Sequence, residues 1–350
     1  DKLKNKVTTK DKIVFTRQFS TLIGAGLPLS NSLRVLIEQT GSKPMRRITE
    51  SILADVEAGR SLTQACAKFP DVFNRIYLAL LEAGESSGTL DKSLKRLADQ
   101  QEKDHAMVTR IKNSLTYPAI VLAVIIGVLL FMVIGVVPQV QQLYHDLGKD
   151  LPAITNMLVA VTNFLVNMWW LVTIVLGLII YFVFQFVRTD SGRHILARIK
   201  LNMPVFKLMF WRLYNGRFAR TAENLLSTGV SIQDTLAISA EAINILAMEE
   251  QIKEVSEKVK QGKTLSASLK ELNYILPLLP QMAAIGEESG KIDEMLGKAA
   301  NVYEDELDQQ INTISTLIEP IMLVIMTLMV AVIIAGVLMP IYQLVSQIQK

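Results

Sequence analysis

Few residues in this chain could do chemistry, and their spacing assigns most of them to structure. Of 350 residues three are histidines. They are His105, His145 and His194, scattered, with no HExxH pair and no cysteine pair to complete a transition-metal set. Cys66 is the single cysteine, so no disulfide can close within the chain. Between Ala65 and Ala67 it reads as a small buried helix residue. Gly262, Lys263 and Thr264 imitate the end of a phosphate-binding loop, but Glu257 stands where that loop needs its earlier Gly. No serine lies in a nucleophile-elbow context. Two acids, Glu85 and Glu287, sit in matching glycine-bounded turns and lack the partners that acid–base catalysis requires. The turn residues Glu85, Ser87, Gly88 and Asp91, with Glu287, Ser289, Gly290 and Asp293, are candidate partner contacts or structural turns. Helix capping is the structural alternative. No catalytic, cofactor-binding or metal-binding residue is assigned.

The elements that carry these turns read as helices. Val14, Phe15, Phe19, Leu22 and Ile23 recur at helical spacing. The segment Gly26 to Ser30 is a turn, with Ser30 as N-cap of the next helix. Ser61 followed by Gln64 fits a capping box, and Phe69, Pro70 and Asp71 break the chain again. Gly84 to Gly88 reads as a tight helix–helix turn. No Gly or Pro then occurs before Pro118, so the helix starting near Leu90 is expected to run into the apolar segment beyond. It would reach Val137 after about 70 Å. Nothing reads as a strand.

Hydrophobic residues make up 50% and charged residues 20% of the chain, which excludes disorder. A net charge of +3 is too weak for a nucleic-acid partner. The apolar excess lies in three uncharged runs. Residues 119–137 lie between Pro118 and Pro138, residues 321–339 lie between Pro320 and Pro340, and residues 169–187 are interrupted only by Thr173 and Gln185. Each approaches the roughly 20 residues that cross a bilayer. Lys95, Arg96, Lys103, Arg110 and Lys112 precede the first run, and Arg188, Arg193, Arg198, Lys200 and Lys207 follow the second. Residues 138–168 carry only Lys149. Positive charge marks the inner side, so both large segments are expected in the cytoplasm and the connector and C-terminus outside. Trp169 and Trp170 suit the outer interface. The approach to the third run is acidic, and there the parity of crossings decides. The three runs hold no Asp, Glu, Lys, Arg or His between their flanking residues, which argues against an ion-coupled transporter. Small residues recur in them: Ala119, Ala123, Gly127 and Gly135 in the first, Thr327, Ala331 and Ala335 in the third. These are candidate packing positions, within one chain or between subunits. Residues 1–12 hold five lysines and no apolar core, so a processed or truncated start without signal peptide is expected.

The chain repeats itself. Phe15, Arg17, Leu22 and Gly26 match Phe218, Arg220, Leu225 and Gly229 at an offset of 203 residues. Gly59 and Leu62 match Gly262 and Leu265 at the same offset. Gly84, Glu85, Ser87, Gly88 and Asp91 match Gly286, Glu287, Ser289, Gly290 and Asp293 at 202, as do the prolines at 118 and 138 with those at 320 and 340. One residue is therefore missing near Pro70. The unit is a helical bundle followed by one span, written twice in parallel, with the middle span as the added crossing. This gives an all-α membrane protein of two homologous cytoplasmic bundles, about six helices each, and three transmembrane helices. The expected division is bundle 1–112, span 113–140, external connector 141–168, span 169–187, bundle 188–316, span 317–343 and external tail 344–350. Residues 1–112 carry a net charge of +6 and residues 188–319 one of −3, so the bundles should meet different partners, or each other.

The Phe15-x-Arg17 opening with Leu22, Gly26, Pro28 and Leu29, the turn of Gly84, Glu85, Ser87, Gly88, Leu90 and Asp91, and the duplicated layout resemble the type II secretion system protein F family. The second copy carries Phe218, Arg220, Leu225, Gly229, Gly286, Glu287, Ser289, Gly290, Ile292 and Asp293, and departs with Ser231 where the first has Pro28. The resemblance covers residues 13–343. It implies a non-enzymatic inner-membrane platform without cofactor, in contact with a cytoplasmic secretion or pilus ATPase, pilin or pseudopilin, and assembly-scaffold proteins, and itself a homo-oligomer. A membrane scaffold or signalling anchor is the alternative, with a small-molecule transporter behind it.

Overall fold

A computed structural model describes residues 6–146, 168–204, 206–243 and 245–335, with the single positions Asn156, Val159, Ala160, Phe164 and Tyr342. Most of the expected connector and all of the expected tail lie outside these residues. The described chain is helical, with no strand among its residues.

The first repeat forms six helices: α1 (Thr9–Gly24), α2 (Leu29–Gln39), α3 (Lys43–Glu57), α4 (Leu62–Ala67), α5 (Arg75–Ser87) and α6 (Leu90–Phe131). A π-helical turn, Met132–Val136, leads from α6 into α7 (Val137–Asp146). Then come α8 (Trp169–Arg188) and α9 (Asp190–Asn202). The second repeat forms α10 (Lys207–Leu226), α11 (Ile232–Ile243), α12 (Leu246–Lys260), α13 (Leu265–Lys270), α14 (Leu278–Ser289) and α15 (Ile292–Ile333). Helix by helix, α1 to α6 correspond to α10 to α15.

The chain divides into two compact units. One holds residues 1–108 and 194–309, and so contains the bundles of both repeats. The other holds residues 109–193 and 310–350. Within the first unit, the second repeat has its own core around Phe218, Leu236, Ile252, Leu269 and Leu296. The core of the first repeat, around Phe15, Phe19, Leu33, Ile52 and Tyr77, also takes in Leu225 and Ile238 from α10 and α11.

Local sequence chemistry explains the helix ends. Thr8 and Asp11 form a reciprocal capping box on α1, with Asp11 N donating to Thr8 Oγ1 at 3.1 Å. Ser61 caps α4, its Oγ accepting from Gln64 N at 3.1 Å. Ser30 does not cap α2. That helix already starts at Leu29, after Pro28, whose φ of −57° is preset for a helix start. In the second repeat Ser231 replaces this proline and is a true side-chain cap, accepting from Asp234 N at 3.2 Å. The turn therefore has the same place in both repeats and a different chemistry in each.

Pro118 and Pro320 lie inside α6 and α15 and end neither helix. The sequence places them as the borders of apolar runs. A proline withholds one N–H from the carbonyl four residues back, and 42-residue helices absorb the loss of one bond. Among the described residues two stretches are long and apolar enough to cross a bilayer, Leu90–Asp146 and Ile292–Ile333. The third run is carried by α8, whose apolar portion Thr173–Val187 is shorter. Ile120, Val124, Phe131, Leu328 and Val330 stand exposed on the long helices, on surface that water would disfavour.

Candidate functional site

The acid of each glycine-bounded turn is committed to a helix end in its own bundle. Gly84 to Ser87 form the last turn of α5, so this segment is mostly helix, and the turn itself is Gly88 and Thr89. Gly88 takes a left-handed φ of 72°, and Thr89 N donates to Gly84 O at 2.8 Å, closing the helix. This directs Glu85 at the start of α4. Its carboxylate accepts from Leu62 N at 2.6 Å, from Thr63 N at 3.1 Å and from Thr63 Oγ1 at 2.8 Å. With Ser61 on the next amide, the first three orphan N–H groups of α4 are all satisfied. The second repeat copies the device. Glu287 accepts from Leu265 N, Ser266 N and Ser266 Oγ, while Thr264 Oγ1 accepts from Ala267 N.

The neighbouring residues fit this architecture. Ser87 Oγ donates to Ala83 O at 2.6 Å, and Ser289 Oγ donates to Ile285 O at 2.7 Å. Gly290 repeats the left-handed φ of Gly88, at 70°. Asp91 and Asp293 lie in the first turns of α6 and α15, where the helix dipole favours a negative charge. Gly84, Glu85, Ser86, Ser87 and Gly88 spell Gly-x-Ser-x-Gly, but Ser86 is exposed in a helix and lacks the strand-to-helix turn that a nucleophile elbow needs. Among the described residues no group of three or more metal-ligating side chains occurs. Cys66 is buried, and burial pushes its thiol up to about 12, far from thiolate reactivity.

Two arginine clamps join the first helix of each bundle to its last. Arg17 holds Glu102 with two bonds, of 2.7 and 2.6 Å, and Asp99 at 2.6 Å. Arg220 holds Glu304 with two bonds of 2.8 Å, together with Glu223 at 2.7 Å and Asn301. Sequence reading identified the arginines as repeat markers and missed the acids. The signal was available: Arg17 and Glu102 recur as Arg220 and Glu304 at the repeat offsets. The bond to Arg17 lowers the pKa of Glu102. Burial acts to raise that of Glu304, but Arg220 and Lys103 outweigh it and leave the carboxyl below its ordinary value.

Glu304 also ties the repeats together, since Lys103 of α6 reaches it at 3.0 Å. Arg75 of α5 pairs with Glu241 of α11, and Arg96 of α6 lies 4.0 Å from Glu223 and 3.5 Å from Asn224 of α10. Helix α5 packs against α10 and α11. Polar clefts run along this contact. One includes Lys92, Lys95, Arg96 and Arg220. Another includes Gln100, Asp104 and Arg217. Burial raises the pKa of Asp104, against the pull of Arg217.

The small residues of the apolar helices stay outside this framework. Ala119, Ala123, Gly127, Thr327 and Ala331 are exposed, and Gly135 and Ala335 are half-buried. A Cβ added at Gly127 would meet nothing within 4 Å. Thr327 Oγ1 donates to Leu323 O at 2.9 Å within its own helix.

This twofold architecture has a known counterpart. The family profile described as "Type II secretion system (T2SS), protein F" matches twice, over residues 15–138 and 218–340. The chain belongs to the type II secretion system protein F family. The two family domains are offset by 203 residues at their starts and 202 at their ends, as the internal repeat is. Among curated family relatives, the type IV pilus assembly protein PilC of Thermus thermophilus is 36% identical over 339 residues, 96% of this chain and 83% of that protein. PilC of Pseudomonas aeruginosa is 34% identical, over 97% of this chain and 91% of its own length. Type II secretion system protein F of Aeromonas hydrophila is 32% identical, over 96% and 87%.

Proposed function

We propose that this chain is an inner-membrane platform protein of type IV pilus assembly or type II secretion, linking a cytoplasmic ATPase to the assembly of pilin or pseudopilin fibres. The double family match, with relatives named for pilus assembly and for type II secretion, carries the reading. In it three spans cross the membrane, both bundles face the cytoplasm, and the connector and tail lie outside. The unbroken course of α6 and α15 from charged into apolar sequence supports a part for both helices in passing on motion. Exposed Ile195, Ile199 and Met203 on and just after the basic α9 support a position of that helix at the membrane surface. The acids Glu85 and Glu287 serve the bundles' own architecture in this reading, and the outer surfaces meet the partners.

Co-purification from native membranes in mild detergent tests the proposal. Recovery of a secretion or pilus ATPase, a scaffold protein or a pilin with the tagged chain is expected. Recovery of none of them overturns the platform role.

A further inference from the structure

The contact between the two repeats is head-to-tail. The first repeat offers α5 and α6, and the second offers α10 and α11. A contact of this type uses a different face on each partner and leaves the complementary faces free. The free faces here are α14 with the Val302 side of α15 on the second repeat, since the Glu304 side of α15 meets Lys103, and α1–α2 on the first.

The repeat offsets identify the residues on those faces. Ala83 and Gln100, which line clefts along the used contact, correspond to Ile285 and Val302. On the opposite side Arg217, Val230 and Ile238 correspond to Val14, Leu27 and Val35. In the unit that holds both bundles, exposed large hydrophobic side chains include Val108, Ile195, Ile199, Met203 and Leu208, and, on the helices of the repeats, Val14 at 44%, Ile285 at 48% and Val302 at 42%. The last three stand at positions whose counterparts lie in the repeat contact. Where that contact places Gln100 and Arg217 on one polar cleft, the free faces offer Val302 and Val14. Exposed apolar side chains at matched positions mark a surface that is covered in use.

We propose that a second copy of this chain seats its α1–α2 face, with Val14, Leu27 and Val35, on the α14–α15 face, with Ile285 and Val302. The contact repeats between copies the geometry that joins the repeats within one. Net charge favours this occupant, because the negative second repeat of one copy meets the positive first repeat of the next. The ion pairs are not carried over: Pro277 and Asp305 stand where Arg75 and Lys103 do, and Ser20 stands where Glu223, the partner of Arg96, does. Apolar burial and net charge therefore hold the contact. Being head-to-tail, it leaves each copy able to bind a further one until a ring closes. It does not depend on the platform reading, and its test uses no ATPase or pilin.

The test is cross-linking in native membranes with full chains in a Cys66→Ala background. Copies carrying Val14→Cys and copies carrying Val302→Cys, with different tags, are co-expressed and oxidised. The expected product is a disulfide-linked dimer holding both tags, absent when Arg47→Cys on α3 replaces Val14→Cys. Adding Val302→Arg, an exposed change, should abolish the corresponding link between Val14→Cys and Ile285→Cys copies. No mixed dimer, or Val302→Cys pairing with itself as readily as with Val14→Cys, overturns the proposal.

Discussion

Lys12 shows how a single residue can set a pH response. It is half-buried on α1, its ammonium 5.2 Å from the centroid of the Tyr77 ring. The ring offsets part of the desolvation, yet burial still pulls the amine down to about 8. Between about pH 8 and the unfolded value of about 10.4, the unfolded chain binds more protons than the folded one. Stability therefore rises with pH across that window. Lys12→Met should melt higher than the parent at neutral pH, with a gap of a few degrees that closes as pH rises. Thermal unfolding in detergent at both ends of the window checks this, and a pH-independent gap would refute the burial argument. Residues were legible in the sequence where their partners are local, as with Ser61 and Gln64 on α4. The clamp of Arg17 was missed, because Asp99 and Glu102 stand more than 80 residues away and only the repeat offsets, not local spacing, mark Glu102.

At the scale of elements, helix pairs are fitted through glycine. A Cβ on Gly286 would lie 2.7 Å from Ile292 Cα, and one on Gly84 would lie 2.7 Å from Ser93 Cβ. Backbone cannot swing aside, so Gly286→Ala should push α14 off α15 at a cost of about 1–3 kcal/mol. Gly24→Ala on α1, where nothing lies within 4 Å, should be neutral or slightly stabilising. Unfolding midpoints of the two variants make the comparison, and equal midpoints would remove the close-approach explanation. The six-helix pattern was legible because apolar periodicity, caps and glycine turns agree. The continuity of α6 past Pro118 was legible as well, because no Gly or Pro interrupts residues 89–117 and the cost of one proline is local, while the helix is decided over 42 residues.

For the whole molecule, Glu304 carries more than its counterpart Glu102. It takes Arg220 from its own repeat and Lys103 from the other, whereas the bonds of Glu102 stay within one bundle. Glu304→Gln should cost about 2 kcal/mol and Glu102→Gln about 1 kcal/mol. Thermal unfolding of the two variants measures the difference, and a reversed order would deny Glu304 its double role. The duplication was legible in collinear matches. The opposite charges of the bundles left their contact with each other as one of two outcomes, and the structure unites them in one unit; the ion pairs that join them, such as Arg75 with Glu241, were not legible, because Arg75 has Pro277 as its counterpart. The onset of π-helical geometry recurs with the duplication. It falls at Met132 in the first copy and at Ile334 in the second, a separation equal to the offset of the flanking prolines. Such a turn holds one residue more than an α-helical turn, so it advances the helix phase by one position, and Gly135 no longer continues the row of Ala119, Ala123 and Gly127. In both copies the π-helical geometry begins six residues before a proline, Pro138 in the first and Pro340 in the second, a residue that withholds its N–H from the α-helical ladder.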